Sequence, residues 1–184
     1  MDTAGTIAFY DGEFRLYSGG GIVAKIATSG QIYSDAGTTI SSPADFAEWT
    51  KVTGNLNDFA VGTVVQQSDE DLAVEAAVAN GFVYGVVTDR ATFLGAVTGA
   101  DKTEWKACAD DAAIEAKYNA KKIAMVGHIQ CKVVGKVARG KGLVVSGFPG
   151  IAREAGLSER SMVFALAREN HDSEEAGLIE VRLL

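Results

Sequence analysis

The feature that most limits what this chain can fold into is its first 40 residues, where short apolar pieces alternate with glycine. "TIAFY" and "FRLYS" flank Asp11-Gly12, a turn pair compatible with a hairpin. "GGG" at 19–21, "IVAKIATSG" and "QIYSDAGTTI" follow. Each piece is too short and too interrupted to bury much surface alone. Two architectures accommodate such a segment: a small hairpin meander, or one-third of a shaft in which identical chains wrap together. The second is favoured, because one copy of the segment cannot supply a core. We therefore divide the chain into a shaft-like β segment at 1–42 and a β-rich domain at 43–184.

At 184 residues the chain is long enough for one good-sized core with a smaller appendage. Its formal charge of -7 argues against a nucleic-acid or anionic-membrane partner, since both require a basic face. Glycine occurs 21 times and proline twice, a usage that favours tight turns between short strands over a disordered linker. No apolar run reaches the length of a membrane span, and "MDTAGTIAFYDGEF" lacks a basic region followed by an apolar block. Cys108 and Cys131 make no disulfide framework and fit no zinc spacing, so both read as idle thiols.

From "FAVGTVVQQ" onward the pattern is β-rich. Asn80-Gly81 is a turn between two β-like runs. Residues 101–121 change character: Asp101 and Glu104 resemble a capping box, and Trp105, Cys108 and Ala112 fall roughly on one face, so a helical insertion is expected. "KIAMVGHIQCKVVGKV" resumes the β pattern, with Ile123, Met125, Ile129, Cys131 and Val133 on one face and Val126, His128, Gln130 and Lys132 on the other. "FPGIAREAG" reads as a loop and "SMVFALARE" as a strand covered on both sides. "LIEVRLL" closes the chain with Ile179, Val181 and Leu183 inward. The expected body is mainly β, a compact barrel or sandwich with one helical excursion.

Little obvious chemistry accompanies this pattern. His128 and Cys131 point to opposite faces of their strand, which separates them as metal ligands or as a nucleophilic pair. "VVGKVARGKGLVVSG" lacks the spacing of a phosphate cradle, and the acidic clusters "HDSEE" and "QQSDEDL" lack the alternating ligands and central glycine of a calcium loop. No cofactor or metal is therefore expected. Asp45 and Glu48, three apart in "SSPADFAEWTKVTGN", remain. With Ser42 as N-cap and Pro43 at the first position, they read as the opening turn of a helix. On one helical turn both carboxylates face the same way and could address one peptide bond, dividing proton delivery from attack at the carbonyl. Aspartate can also attack a neighbouring backbone carbonyl directly. Ser41 and Ser42 offer a hydroxyl route, with no local lysine or histidine to activate it.

"ADFAEW", then Gly54-Asn55, Asp58 and Val61-Gly62, resembles the opening of the intramolecular-chaperone, self-cleaving domain that ends phage tailspike, tail-fibre and neck-appendage proteins. "KVVGKVARGKGLVVSGFPGIAR", Lys132 to Arg153, is similar to the barrel segment of that family, and "LIEVRLL" to its final strand. The resemblance covers about residues 43–184. It implies a homotrimer that helps a threaded β shaft assemble within a phage virion appendage, alongside other appendage components. Assembly would take place in the bacterial host cytoplasm, followed by autoproteolysis near the domain's own N-terminus. Carried over by position, the catalytic aspartate and glutamate fall on Asp45 and Glu48, and the cleavage region on Ser41, Ser42 and Ala44. Pro43 and Ala44 stand where the family tends to have small flexible residues, and proline stiffens the backbone there. Two other functions stay open: a non-cleaving structural virion protein serving as fibre tip or decoration, and a host-glycan binding module using aromatics such as Tyr33 and Tyr84.

Overall fold

The computed structural model describes strands at 6–10, 13–18, 21–26, 32–34 and 39–40, then residues 45–91, 93–97, 108 and 110–184. The leading strands are β1 (Thr6–Tyr10), β2 (Glu13–Ser18), β3 (Gly21–Ile26), β4 (Ile32–Ser34) and β5 (Thr39–Ile40). Each pairs antiparallel with the next, and the expected first hairpin forms with Tyr10 opposite Glu13. The segment is thus a meander paired within one chain. β10 (Phe93–Val97) joins it to the body, antiparallel to β5 and parallel to β6 (Asp45–Val52).

β6 overturns the helix expected to open near Ser42. The capping signals at its start are local, whereas "DFAEWTKV" carries aromatic and β-branched residues that suit a pleated, half-buried surface. Neighbours on both sides supply its ladder, so tertiary pairing overrides the local preference.

The rest of the body comprises β7 (Val64–Gln67), β8 (Ala73–Ala76), β9 (Val83–Val87), α1 (Asp111–Tyr118), β11 (Ala120–Val137), β12 (Gly142–Val145), β13 (Ala152–Glu154), β14 (Ala165–Ala167) and β15 (His171–Leu183). All the described strands belong to one mixed sheet, and β11 is its spine. Pairing runs β6–β8–β7–β9–β11 and back to β6, and again β11–β13–β12–β14–β15 and back to β11. Two closed rounds of strands therefore share one 18-residue strand, which leaves few ladder edges open. The fold is mainly β, as expected, in one continuous sheet rather than two stacked ones.

The interior follows the alternation read from the sequence beyond Gly127 but not before it. The register shift between Ala124 and Val126 puts Ala124 in the cluster of Ile129 and Cys131, and Ile123, expected there, in a different one. Ile129, Cys131 and Val133 of β11 meet Ile179, Val181 and Leu183 of β15 in the largest apolar cluster. Val52, Phe59, Val65, Val74, Val87 and Ile123 form a second. Asn80-Gly81 does form a turn, closed by Gly81 N–H donating to Val78 O at 2.9 Å, with Asn80 left-handed. The strands flanking it, β8 and β9, pair with β7 rather than with each other.

α1 lies inside the expected insertion. Asp110 caps it by accepting from the Ala113 N–H at 2.9 Å, and Asn119 ends it in the left-handed region. Ile114 packs against Trp49 and Ala120. Asp101, Glu104 and Trp105 lie outside the described residues. "FPGIAREAG" contains β13, paired parallel to β11, where a loop is expected. "SMVFALARE" holds only the three-residue β14, because a 3-10 turn occupies Leu157–Met162.

Candidate functional site

Asp45 is the first residue of β6 and stands opposite Gly127 of β11. Gly127 has φ +122, and the β6–β11 register shifts just before it, between Ala124 and Val126. Such a bulge bends its strand and re-aims neighbouring side chains. The Asp45 side chain is buried, and its Oδ2 accepts a hydrogen bond from Thr88 Oγ1 at 3.0 Å. Thr88 follows β9 directly and is itself buried. Its N–H donates to Lys122 O on β11 at 2.9 Å, and its Oγ1 accepts from the Arg90 N–H at 3.1 Å.

Thr88 also forms part of the wall of a cleft of about 160 Å³, with Val61, Asp89, Arg90, His128 and Gln130 among its other lining residues. At its rim Arg168 Nη1 lies 3.0 Å from His128 Nδ1 and donates to Glu180 Oε1 at 2.7 Å. The carboxylate of Asp45 therefore sits behind a polar wall at the strand entrance, held by a hydroxyl anchored on a different strand.

Glu48 is placed elsewhere. Side chains alternate along a strand, so residues three apart leave on opposite faces. Asp45, Ala47 and Trp49 share one face of β6; Phe46, Glu48 and Val52 share the other. The single-turn pairing of Asp45 with Glu48 is thereby overturned within one chain, for the same reason that β6 is not a helix. Glu48 Oε1 instead accepts a short hydrogen bond from the Tyr84 hydroxyl. Burial, and then the Glu48 carboxylate, push the Tyr84 phenol up to about 12. Tyr84 is half-buried and engaged with Glu48 rather than offered to solvent.

The Glu48 face carries apolar surface. Phe46 and Val126, opposite each other across β6 and β11, are 42% and 51% exposed. Nearby, Phe82, Val83, Tyr84, Met162, Phe164 and Leu184 help line a groove of about 510 Å³. Phe82 is 92% exposed.

Other sequence candidates resolve simply. His128 is exposed and Cys131 buried on the opposite face, with burial pushing the thiol up to about 12 and leaving it inert at neutral pH. Ser41, Ser42 and Ala44 lie outside the described residues, and Tyr33 falls in β4, opposite Lys25 of β3. Thr88 is the neighbour of Asp45 that sequence reading misses. It is 43 residues from Asp45, and only the fold brings them together.

No protein-family model matches the chain, and no curated protein matches it in sequence. Its fold is similar to that of solved structures. The bacteriophage phi29 gene product 12 C-terminal fragment matches with a TM-score of 0.54 at 15% identity, over 76% of this chain and 100% of that one. The pre-mature bacteriophage phi29 gene product 12 matches with a TM-score of 0.57 at 15% identity, over 89% of this chain and 24% of that one. This chain thus spans about a quarter of the pre-mature protein's length.

Proposed function

We propose that the chain is the C-terminal part of a phage virion appendage, a leading β segment joined to a body that trimerises, assists shaft folding and cuts itself free at Ala44–Asp45. One observation carries this reading. The C-terminal fragment of the phage gene product is matched over its whole length and over 76% of this chain. The pre-mature form is matched over more of the chain, 89%, which supports placing the leading strands with the same assembly.

The physical logic is that of a removable template. Pairing register is weakly specified in glycine-rich strands, and contacts far apart in sequence form slowly. A folded trimer behind such strands holds three copies in line and raises their local concentration. Cleavage afterwards leaves the shaft kinetically stable, without its folding aid. The exposed apolar side chains Val126 and Phe82 suit a body whose sister copies cover them.

The cutting step uses Asp45 as nucleophile. A side-chain oxygen of Asp45 attacks the Ala44 carbonyl carbon, and the bond to the Asp45 nitrogen breaks. That nitrogen takes a proton and becomes the new N-terminus. Water then opens the resulting mixed anhydride, restoring the Asp45 carboxylate and freeing the Ala44 carboxylate. Glu48 faces away within its own chain, so the second carboxyl, which gives the leaving nitrogen its proton, comes from a sister copy.

Mass spectrometry of freshly expressed protein tests this. Two fragments split between Ala44 and Asp45, and their loss in Asp45→Asn, are expected. One intact mass after prolonged incubation supports the second reading, a non-cleaving fibre tip or decoration. That reading is favoured by the opposite placement of Asp45 and Glu48 on β6.

A further inference from the structure

The geometry points to Thr88 as the positioning residue for Asp45, an inference that rests on the self-cleavage reading. A nucleophilic carboxylate at the start of a strand must be held in one rotamer, since small misplacements of a reacting group cost rate steeply. Thr88 is built to do this. Its backbone is tied to β11 through Lys122 O, and its Oγ1 already accepts from the Arg90 N–H. The hydroxyl's single hydrogen then has two acceptors within reach, Asp45 Oδ2 at 3.0 Å and Arg90 O at 3.1 Å. The carboxylate is the stronger of the two, because a hydrogen bond to an ionised acceptor is charge-assisted. Both residues are buried, so water competes poorly for either partner.

Three strands converge on this contact. β6 carries Asp45, β11 presents Gly127 opposite it, and β9 delivers Thr88. The Thr88 contact to the carboxylate therefore forms once β9 and β11 have paired with their neighbours. Thr88 makes the nucleophile's geometry conditional on a folded body, which suits a cut that must follow folding.

The test uses the full chain made by cell-free synthesis, with a radiolabel pulse and a time course of intact and cut bands. Thr88→Val keeps the side chain's shape and loses the hydroxyl; Thr88→Ser keeps the hydroxyl and loses the methyl group. We expect Thr88→Val to slow cleavage by about 10- to 100-fold and Thr88→Ser to cut within about 3-fold of the parent. Thermal melts accompany each variant, and Thr88→Cys, with a weak donor, replaces Thr88→Val if the latter does not fold. A packing role gives the reverse order, with valine tolerated and serine impaired, and overturns the assignment. Parental cleavage with Thr88→Val cutting at the parental rate overturns it too while leaving self-cleavage standing. A parent chain that never cuts overturns self-cleavage, and the role of Thr88 falls with it.

Discussion

Asp45 and Glu48, three residues apart, leave β6 on opposite faces: Asp45 is tied to Thr88 on one side, and Glu48 to Tyr84 on the other. Two carboxylates so placed cannot share one peptide bond within a single chain. Under the proposed self-cleavage, the division of labour between them becomes a question about neighbouring copies.

Co-expression of Asp45→Ala and Glu48→Ala chains, distinguished by tags, addresses it. Each variant alone is expected to stay intact. In mixed trimers the Glu48→Ala chain, which keeps its own Asp45, regains cleavage from a sister copy's glutamate. Intact chains in proven mixed trimers contradict the shared site.

Tyr84 gives a pH signature. Its phenol is raised from 10.0 to about 12 in the folded protein. Below pH 10 the stabilisation is fully present, and it is lost as pH rises through the folded value of about 12. Urea midpoints at about pH 9 and about pH 11.5 should therefore fall further for the parent than for Tyr84→Phe. Equal falls contradict the Tyr84–Glu48 contact.

Arg153 and Glu159 act at the other end of the scale. The Arg153 guanidinium donates to both Glu159 oxygens at 2.8 and 2.6 Å, and the Gly156 N–H adds a third bond at 2.7 Å. These contacts, the Arg153 hydrogen bonds first, hold the Glu159 carboxyl down at about 2. The folded value lies below the ordinary 4.5, so the stabilisation is present above that pH and lost as pH falls towards 2. Glu159→Gln should lower the denaturation midpoint at about pH 6 more than at about pH 3. A pH-independent difference contradicts it.

Gly85 is a packing constraint. A Cβ there would lie 2.4 Å from Ala124 O and 2.7 Å from Ile123 Cγ2. Because backbone blocks one side, Gly85→Ala should destabilise the body by about 1–3 kcal/mol, measured by urea unfolding. An unchanged midpoint contradicts the close approach of β9 to β11.

Much of the body is legible in the sequence because β alternation is a local signal. Ile129, Cys131, Val133, Ile179, Val181 and Leu183 all lie on the expected inner faces. β6 is misread because Ser42, Pro43 and the Asp45–Glu48 spacing obey helix grammar, whereas pairing with β10 and β11 is invisible along the chain. Trp49, Thr50 and Val52 are the residues that hint at the strand. For the site, Asp45 is visible as a candidate and Thr88 is not. A threonine acquires a role only through what the fold sets beside it.

Light scattering on the intact Asp45→Asn chain tests the central claim most directly, since the folding aid works only if the body gathers three copies. The account predicts a mass of about 58 kDa, three times the 19.3 kDa of one chain. A stable species of 19.3 kDa contradicts it.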